Sequence, residues 1–148
     1  MPSERDRSPR KRRRPRGALA ALALLPCLIA CGGSDPATQI QRAGSWAATT
    51  RELAIERGVK GVGRSYTMDL LEAGRRDVHT IATSLDTSAL PESVRTRARA
   101  AVRRLDALML QTAGAVRRGD PVALGAAAAS ADALGDTLRA LHEAMSAK

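Results

Sequence analysis

Residues 119–146 read GDPVALGAAAASADALGDTLRALHEAMS, and within them Leu124, Ala127, Ala131, Leu134, Leu138, Leu141 and Met145 recur at alternating spacings of three and four. That is the seam of a heptad, in which one face of a helix stays apolar turn after turn. The stretch also announces where its helix begins: Gly119 suits the left-handed residue that ends a preceding helix, Asp120 suits an N-cap, and Pro121 suits the first helical position. The spacing predicts a helix over 121–147. Its polar positions include Asp132, Asp136 and Glu143.

Upstream, residues 91–118 carry the strongest amphipathic pattern of the chain. Val94, Ala98, Ala101, Val102, Leu105, Leu108, Met109, Thr112, Ala115 and Val116 fall on one face, and Pro91 stands where a helix tolerates it. The other face is crowded with Arg95, Arg97, Arg99, Arg103 and Arg104. Such a ridge is suited to anionic lipid or polymer, yet it has none of the interleaved aromatics of a single-strand nucleic-acid binder, so it reads first as a solvated face. Opposite charges on the last two helices favour antiparallel pairing of the two.

A second helix over about 65–86 follows from Met68, Leu71, Gly74, Val78, Ile81, Ala82 and Leu85, with Glu72, Arg75, Arg76 and His79 on its outer side. A first helix over about 38–57 follows from Ile40, Ala43, Trp46, Ala47, Thr50, Leu53 and Ala54. Gly58 suits its C-cap, and GVKGVG over 58–63 reads as a glycine-rich connector. A phosphate cradle is the weaker reading of that turn, since no strand precedes it and no Lys-Ser/Thr follows. Four amphipathic helices joined by short links predict an all-α, antiparallel up-down-up-down four-helix bundle over 38–148. A two-helix hairpin pairing across molecules is the competitor, but all four helices have a stripe to bury. The many alanines let helices approach closely.

The amino-terminal part is of another kind. Residues 1–16 hold eight of the 24 Lys and Arg against Glu4 and Asp6, and residues 17–30 read GALAALALLPCLIA. A basic region followed by 7–15 apolar residues is the pattern of a secretory signal. Fourteen helical residues span about 21 Å, short of the ~30 Å hydrocarbon core, so a permanent transmembrane anchor is the weaker reading. Leu28-Ile29-Ala30-Cys31, followed by Gly32-Gly33-Ser34, resembles the lipobox of bacterial lipoproteins. The resemblance covers residues 1–31. It implies a signal peptide over 1–30, a cut between Ala30 and Cys31, a diacylglyceryl group on the Cys31 thiol, and a lipidated tether over 31–37. An ordinary signal peptide with Cys31 incidental is the alternative. Arg12-Arg13-Arg14 hints at twin-arginine export, but the residues that normally follow are absent.

Removing the signal changes every bulk argument. The chain as written carries +9, whereas 16 basic and 13 acidic residues remain after residue 30, a net of +3. The basicity that suggests nucleic acid belongs mostly to the discarded peptide, and no nucleic-acid partner is expected. Cys27 leaves with the signal and Cys31 is taken by lipid, so no thiol remains for a disulfide, a metal or nucleophilic catalysis.

Catalytic motifs are missing: no HExxH, CxxC, GxSxG or P-loop occurs, and His79 and His142 are the only histidines. His79 has arginines one turn away and no ligand partner at useful spacing. The mature part resembles soluble b-type cytochrome bundles in size and helix order, and that resemblance would place an axial ligand at His142. It breaks at the first helix, which has neither Met nor His; Met68 would have to substitute from the second. The expectation is a membrane-anchored, non-enzymatic envelope protein without cofactor or metal, exported and held in the periplasm or outside the cell. A haem- or small-molecule-binding bundle, or a chaperone- or inhibitor-like protein, is the alternative. The topology gathers Arg57, Lys60, Arg64, Arg117 and Arg118 at the end of the bundle away from the lipid, near Glu56 and Asp120. Arg57, Arg117 and Arg118 suit the negative ends of helix dipoles; the same cluster could meet an envelope protein or an anionic envelope polymer.

Overall fold

A computed structural model describes residues 35–59 and 63–147, and these form four helices: α1 (Pro36–Val59), α2 (Arg64–Asp86), α3 (Glu92–Arg118) and α4 (Pro121–Ser146). Cys31, its flanking residues and Lys60 lie outside the described residues. No strand occurs among the described residues, and no helix there is long and apolar enough to cross a membrane.

Contacts across the bundle fix its topology. His142 of α4 meets Ala37 at the start of α1, and Arg51 of α1 meets Asp132 of α4. Arg42 of α1 meets Asp77 of α2, and Arg75 and Asp86 of α2 meet Asp106 and Arg99 of α3. Trp46 of α1 also meets Gly74 and Asp77, and α3 residues from Arg97 to Arg118 lie beside α4 residues from Ala144 down to Ala123. In each pair one residue number rises as the other falls, so sequential neighbours run antiparallel and α4 closes back on α1. α1 also touches α3 across the middle, whereas α2 and α4 do not meet. The cross-section is therefore a flattened diamond with α1 and α3 on the short diagonal.

The stripes read from the sequence are what the bundle buries. Ile40, Leu71, Ile81, Leu85, Leu105, Met109 and Leu138 are all essentially inaccessible, and alanines at 43, 47, 98, 101, 115 and 131 fill the spaces between them. Fully burying a Leu or Ile contributes roughly 1.5–3 kcal/mol relative to leaving it exposed, which makes this stripe the main source of stability. Three buried threonines are satisfied within their own helices: the hydroxyls of Thr50, Thr67 and Thr112 donate to the carbonyls of Trp46, Gly63 and Leu108. None needs a partner from another helix.

The helix ends differ from the sequence reading in instructive places. α1 starts at Pro36, inside the segment expected to be tether, because Asp35 caps it. Its carboxylate accepts from the Thr38 amide at 3.2 Å and the Thr38 hydroxyl at 3.0 Å, with a longer contact from the Ala37 amide. Asp35-Pro36 thus repeats the chemistry of Asp120-Pro121, where the Asp120 side chain accepts from the Ala123 amide at 3.0 Å. α1 also continues through Gly58 to Val59 rather than stopping at a Gly58 cap. Pro91 is the residue just before α3, not its first. The Gly119 stop is as expected, at φ 64°, and its amide and that of Asp120 close the end of α3.

The antiparallel pairing expected of α3 and α4 is present, though without the charge pairing that suggested it. α3 and α4 are antiparallel neighbours, but the most extensive interhelical contact is α1 with α4. Gly44, Ala48 and Gly135 thin that interface, and a methyl built on Gly44 would still only just touch Leu138. The acids of α4 do not answer the arginines of α3: Asp132 faces Arg51 of α1 at 3.3 Å, and Asp136 pairs with Arg139 of its own helix at 3.1 Å. A heptad seam fixes which face is buried, and small residues elsewhere then decide which neighbour comes closest.

Candidate interaction surfaces

The most specific polar arrangement lies between α1 and α2. Gly74 is buried in the middle of α2, and a Cβ there would stand 2.3 Å from Met109 Cε and 2.7 Å from the Trp46 ring. Only a glycine lets the indole lie on the backbone of α2. With the ring so placed, Trp46 Nε1 donates to Asp77 Oδ2 at 2.7 Å, and Asp77 Oδ1 accepts from Arg42. Trp46 is thus half-buried at the edge of the core, its apolar ring packed and its one donor satisfied. The indole N–H and both Asp77 oxygens have partners, which makes the arrangement a structural joint.

At the end of the bundle where the described chain begins and ends, His142 Nδ1 is 3.0 Å from the Ala37 carbonyl oxygen. Close by, the Asp35 carboxyl is held below its ordinary value, first by the Thr38 hydroxyl, then by the backbone amides it caps, with a smaller contribution from His142. Met68 does not share this corner. It lies near the start of α2, at the opposite end of the bundle, on a helix that never touches α4. The structure does not bring the two expected haem ligands together.

His79 is exposed, beside Glu72, Arg75, Arg76 and Asp106. Arg75, expected on a free outer face, instead donates from Nε to Asp106 Oδ1 of α3 at 2.8 Å, and that bond raises its pKa further. Among the described residues no three His, Cys, Asp or Glu side chains come together as metal ligands.

The arginine tip keeps its topology and loses part of its convergence. Arg57, Arg64, Arg117 and Arg118 all lie at the end that carries Gly63 and the α3–α4 turn. Arg64, Arg117 and Arg118 are exposed. Arg118 does not point off the end: its Nη1 lies back along α3, 3.3 Å from where a Cβ of Gly114 would stand. Asp120 is occupied as the α4 cap. Tyr66, 61 % exposed, and Val122, 81 % exposed, sit at this same end, an apolar component that the charge pattern alone did not reveal.

Arginines elsewhere on the bundle are largely answered. Arg42, Arg51, Arg75, Arg76, Arg95, Arg99 and Arg139 each meet a carboxylate. Arg97, Arg103, Arg104, Arg117 and Arg118, all on α3, have no ion pair among the described residues. No family model matches the chain, and no curated protein or solved structure shows detectable similarity to it.

Proposed function

We propose that this chain is an exported lipoprotein of the bacterial envelope whose helical bundle acts as a non-enzymatic interaction module. The observation that carries the anchor is the sequence Leu28-Ile29-Ala30-Cys31 at the end of an apolar run with a basic leader. Two or three acyl chains at about 0.8 kcal/mol per buried CH₂ hold such a protein effectively permanently, whereas one would be marginal. The early start of α1 bears on this reading. Four residue steps separate Cys31 from the Asp35 cap, a reach of at most about 14 Å. In the lipidated form Asp35 can therefore stand no more than about 14 Å from the anchored cysteine.

The module reading rests on what the described surface offers: arginines of α3 without an ion pair and exposed apolar side chains such as Tyr66 and Val122. The anchor is tested by Cys31→Ala. Loss of palmitate labelling together with accumulation of the unprocessed chain, or its release into the soluble fraction, is the expected result. A variant still cleaved and still membrane-bound would overturn the lipoprotein assignment.

A further inference from the structure

The outer edge of the α3–α4 pair carries a second heptad seam, on the solvent side. On α3, Ala100, Ala107 and Gly114 recur every seven residues, and on α4 Ala126, Ala133 and Ala140 do the same at matching levels. The positions between them on α3 are Arg97, Arg104, Gln111 and Arg118, and those on α4 are Ser130, Thr137 and Ala144. Behind them Ala101, Leu108, Leu134 and Leu141 are buried and form the floor. The result is a continuous groove running the length of both helices, one stretch of which encloses about 550 Å³. From Arg97 to Arg118 it extends 21 residues, or about 31 Å.

Alternation of three and four with small side chains on both walls is the arrangement that accepts knobs from another helix. The buried stripes of α3 and α4 are already used by the bundle, so this seam has no occupant within the described chain. Charge narrows what it fits. No acidic side chain lines the groove, and Arg97, Arg104 and Arg118 stand along it about one heptad apart or two. The far rim on α4 offers Asp136, already held by Arg139, and Glu143.

We propose that the α3–α4 groove docks one acidic amphipathic helix of a partner protein, about three heptads long. Its Leu or Ile side chains seat between the alanines, and its Glu or Asp side chains meet Arg97, Arg104 and Arg118. A second copy of this chain is a poorer occupant: groove against groove sets six arginines, Arg97, Arg104 and Arg118 from each copy, against no lining carboxylate, a net repulsion. A lipid surface is also poorer, since the apolar floor is recessed between two helices and the exposed seam residues are too short to insert. The proposal deepens the interaction-module reading and rests on it, but it does not depend on the lipid.

The test uses the full chain, extracted in mild detergent if membrane-bound and as it stands if soluble, so failure of the anchor does not prevent it. The probe is a labelled 28-residue helix with Leu at the seam and Glu on its flanks, compared with its Glu→Gln and Glu→Lys counterparts by fluorescence anisotropy. The Glu peptide should bind about tenfold more tightly than the Gln peptide and more still than the Lys peptide, and the preference should shrink at high salt. Arg97→Glu with Arg104→Glu should reverse the order of the Glu and Lys peptides. Ala107→Leu and Ala133→Leu, both at exposed positions, should fill the groove and weaken the Glu peptide at least about tenfold with the circular dichroism melt unchanged. Equal affinity for all three peptides overturns the proposal. So does a preference that survives the charge reversal. Concentration-dependent dimers abolished by Ala133→Leu, or binding confined to phosphatidylglycerol vesicles, would reassign the groove to a second copy or to a membrane and overturn it equally.

Discussion

The α1–α2 joint and the outer edge of α3–α4 are built from the same few residue types and behave in opposite ways. At the joint a glycine admits an indole, the indole donates to Asp77, and Asp77 also holds Arg42. At the outer edge a row of alanines leaves space that no other described helix fills, and the arginines beside it meet no carboxylate among the described residues. Small residues in a helix therefore have two meanings. Where a neighbour's side chain occupies the space they are structural, and substitution is costly; where the space is vacant they tolerate change and define a surface.

That contrast can be broken most sharply at Gly74. Gly74→Val forces side-chain atoms into Trp46 and Met109 and should cost roughly 3 kcal/mol or more, read as a large loss of urea midpoint, whereas Gly114→Ala on the outer edge should be near neutral. A small effect at Gly74 would mean that the joint repacks easily. Next in size is Asp77→Ala, which leaves the Trp46 N–H without its acceptor and should cost about 1–3 kcal/mol, with a shift in tryptophan emission as the independent readout. Asp120→Ala removes an N-cap and should cost about 1 kcal/mol in the same denaturation series.

A smaller effect is set by pH. The Glu92 carboxyl is lowered chiefly by the hydrogen bond from Arg95, then by Thr96, and Asp35 is lowered chiefly by Thr38. Groups depressed in the folded state contribute stability above their unfolded values of 4.5 and 3.8, and lose it as pH falls through the lower folded values. Thermal melts of wild type and Glu92→Gln should therefore converge as pH is lowered from 6 towards 2. Both sites are solvent-exposed, so the difference at pH 6 will be slight. Smallest of all is Arg104→Gln, expected within about 0.5 kcal/mol of wild type; a larger loss would show that the outer edge is structural after all.

Much of this fold is legible in the sequence because one physical signal, a 3.6-residue apolar period, repeats for about 15 residues or more in each helix. Ile40 through Leu53, Leu71 through Leu85, Ala98 through Val116 and Leu124 through Leu141 are buried where that period places them. The restart at Gly119-Asp120-Pro121 was equally plain. Asp35-Pro36 carries the same cap chemistry but follows two glycines and a serine, and reads as tether until Thr38 is seen bonding back to Asp35. Other features depend on two distant segments meeting. Nothing local marks Gly74 as the seat of Trp46, which lies on another helix. Nor does the seam on α4 say that Asp132 will face Arg51 instead of α3. The outer groove escaped notice for a related reason: its alanines look like ordinary helix formers until both walls are placed side by side. Of the arginine tip, topology located Arg57, Arg64, Arg117 and Arg118 correctly, while the turn of Arg118 towards Gly114 needed coordinates.

The contact between His142 and the Ala37 carbonyl spans 105 residues of sequence in 3.0 Å of space. It brings the start of α1 beside the last turns of α4, and a bundle whose first and last helices meet in this way can be rejoined there without redesign. Linking Ala147 to Asp35 with a few glycines and opening the backbone at 60–62 would give a circular permutant with the same antiparallel pairs and the same core. In such a molecule an anchor or reporter would sit at the opposite pole, turning the bundle end for end.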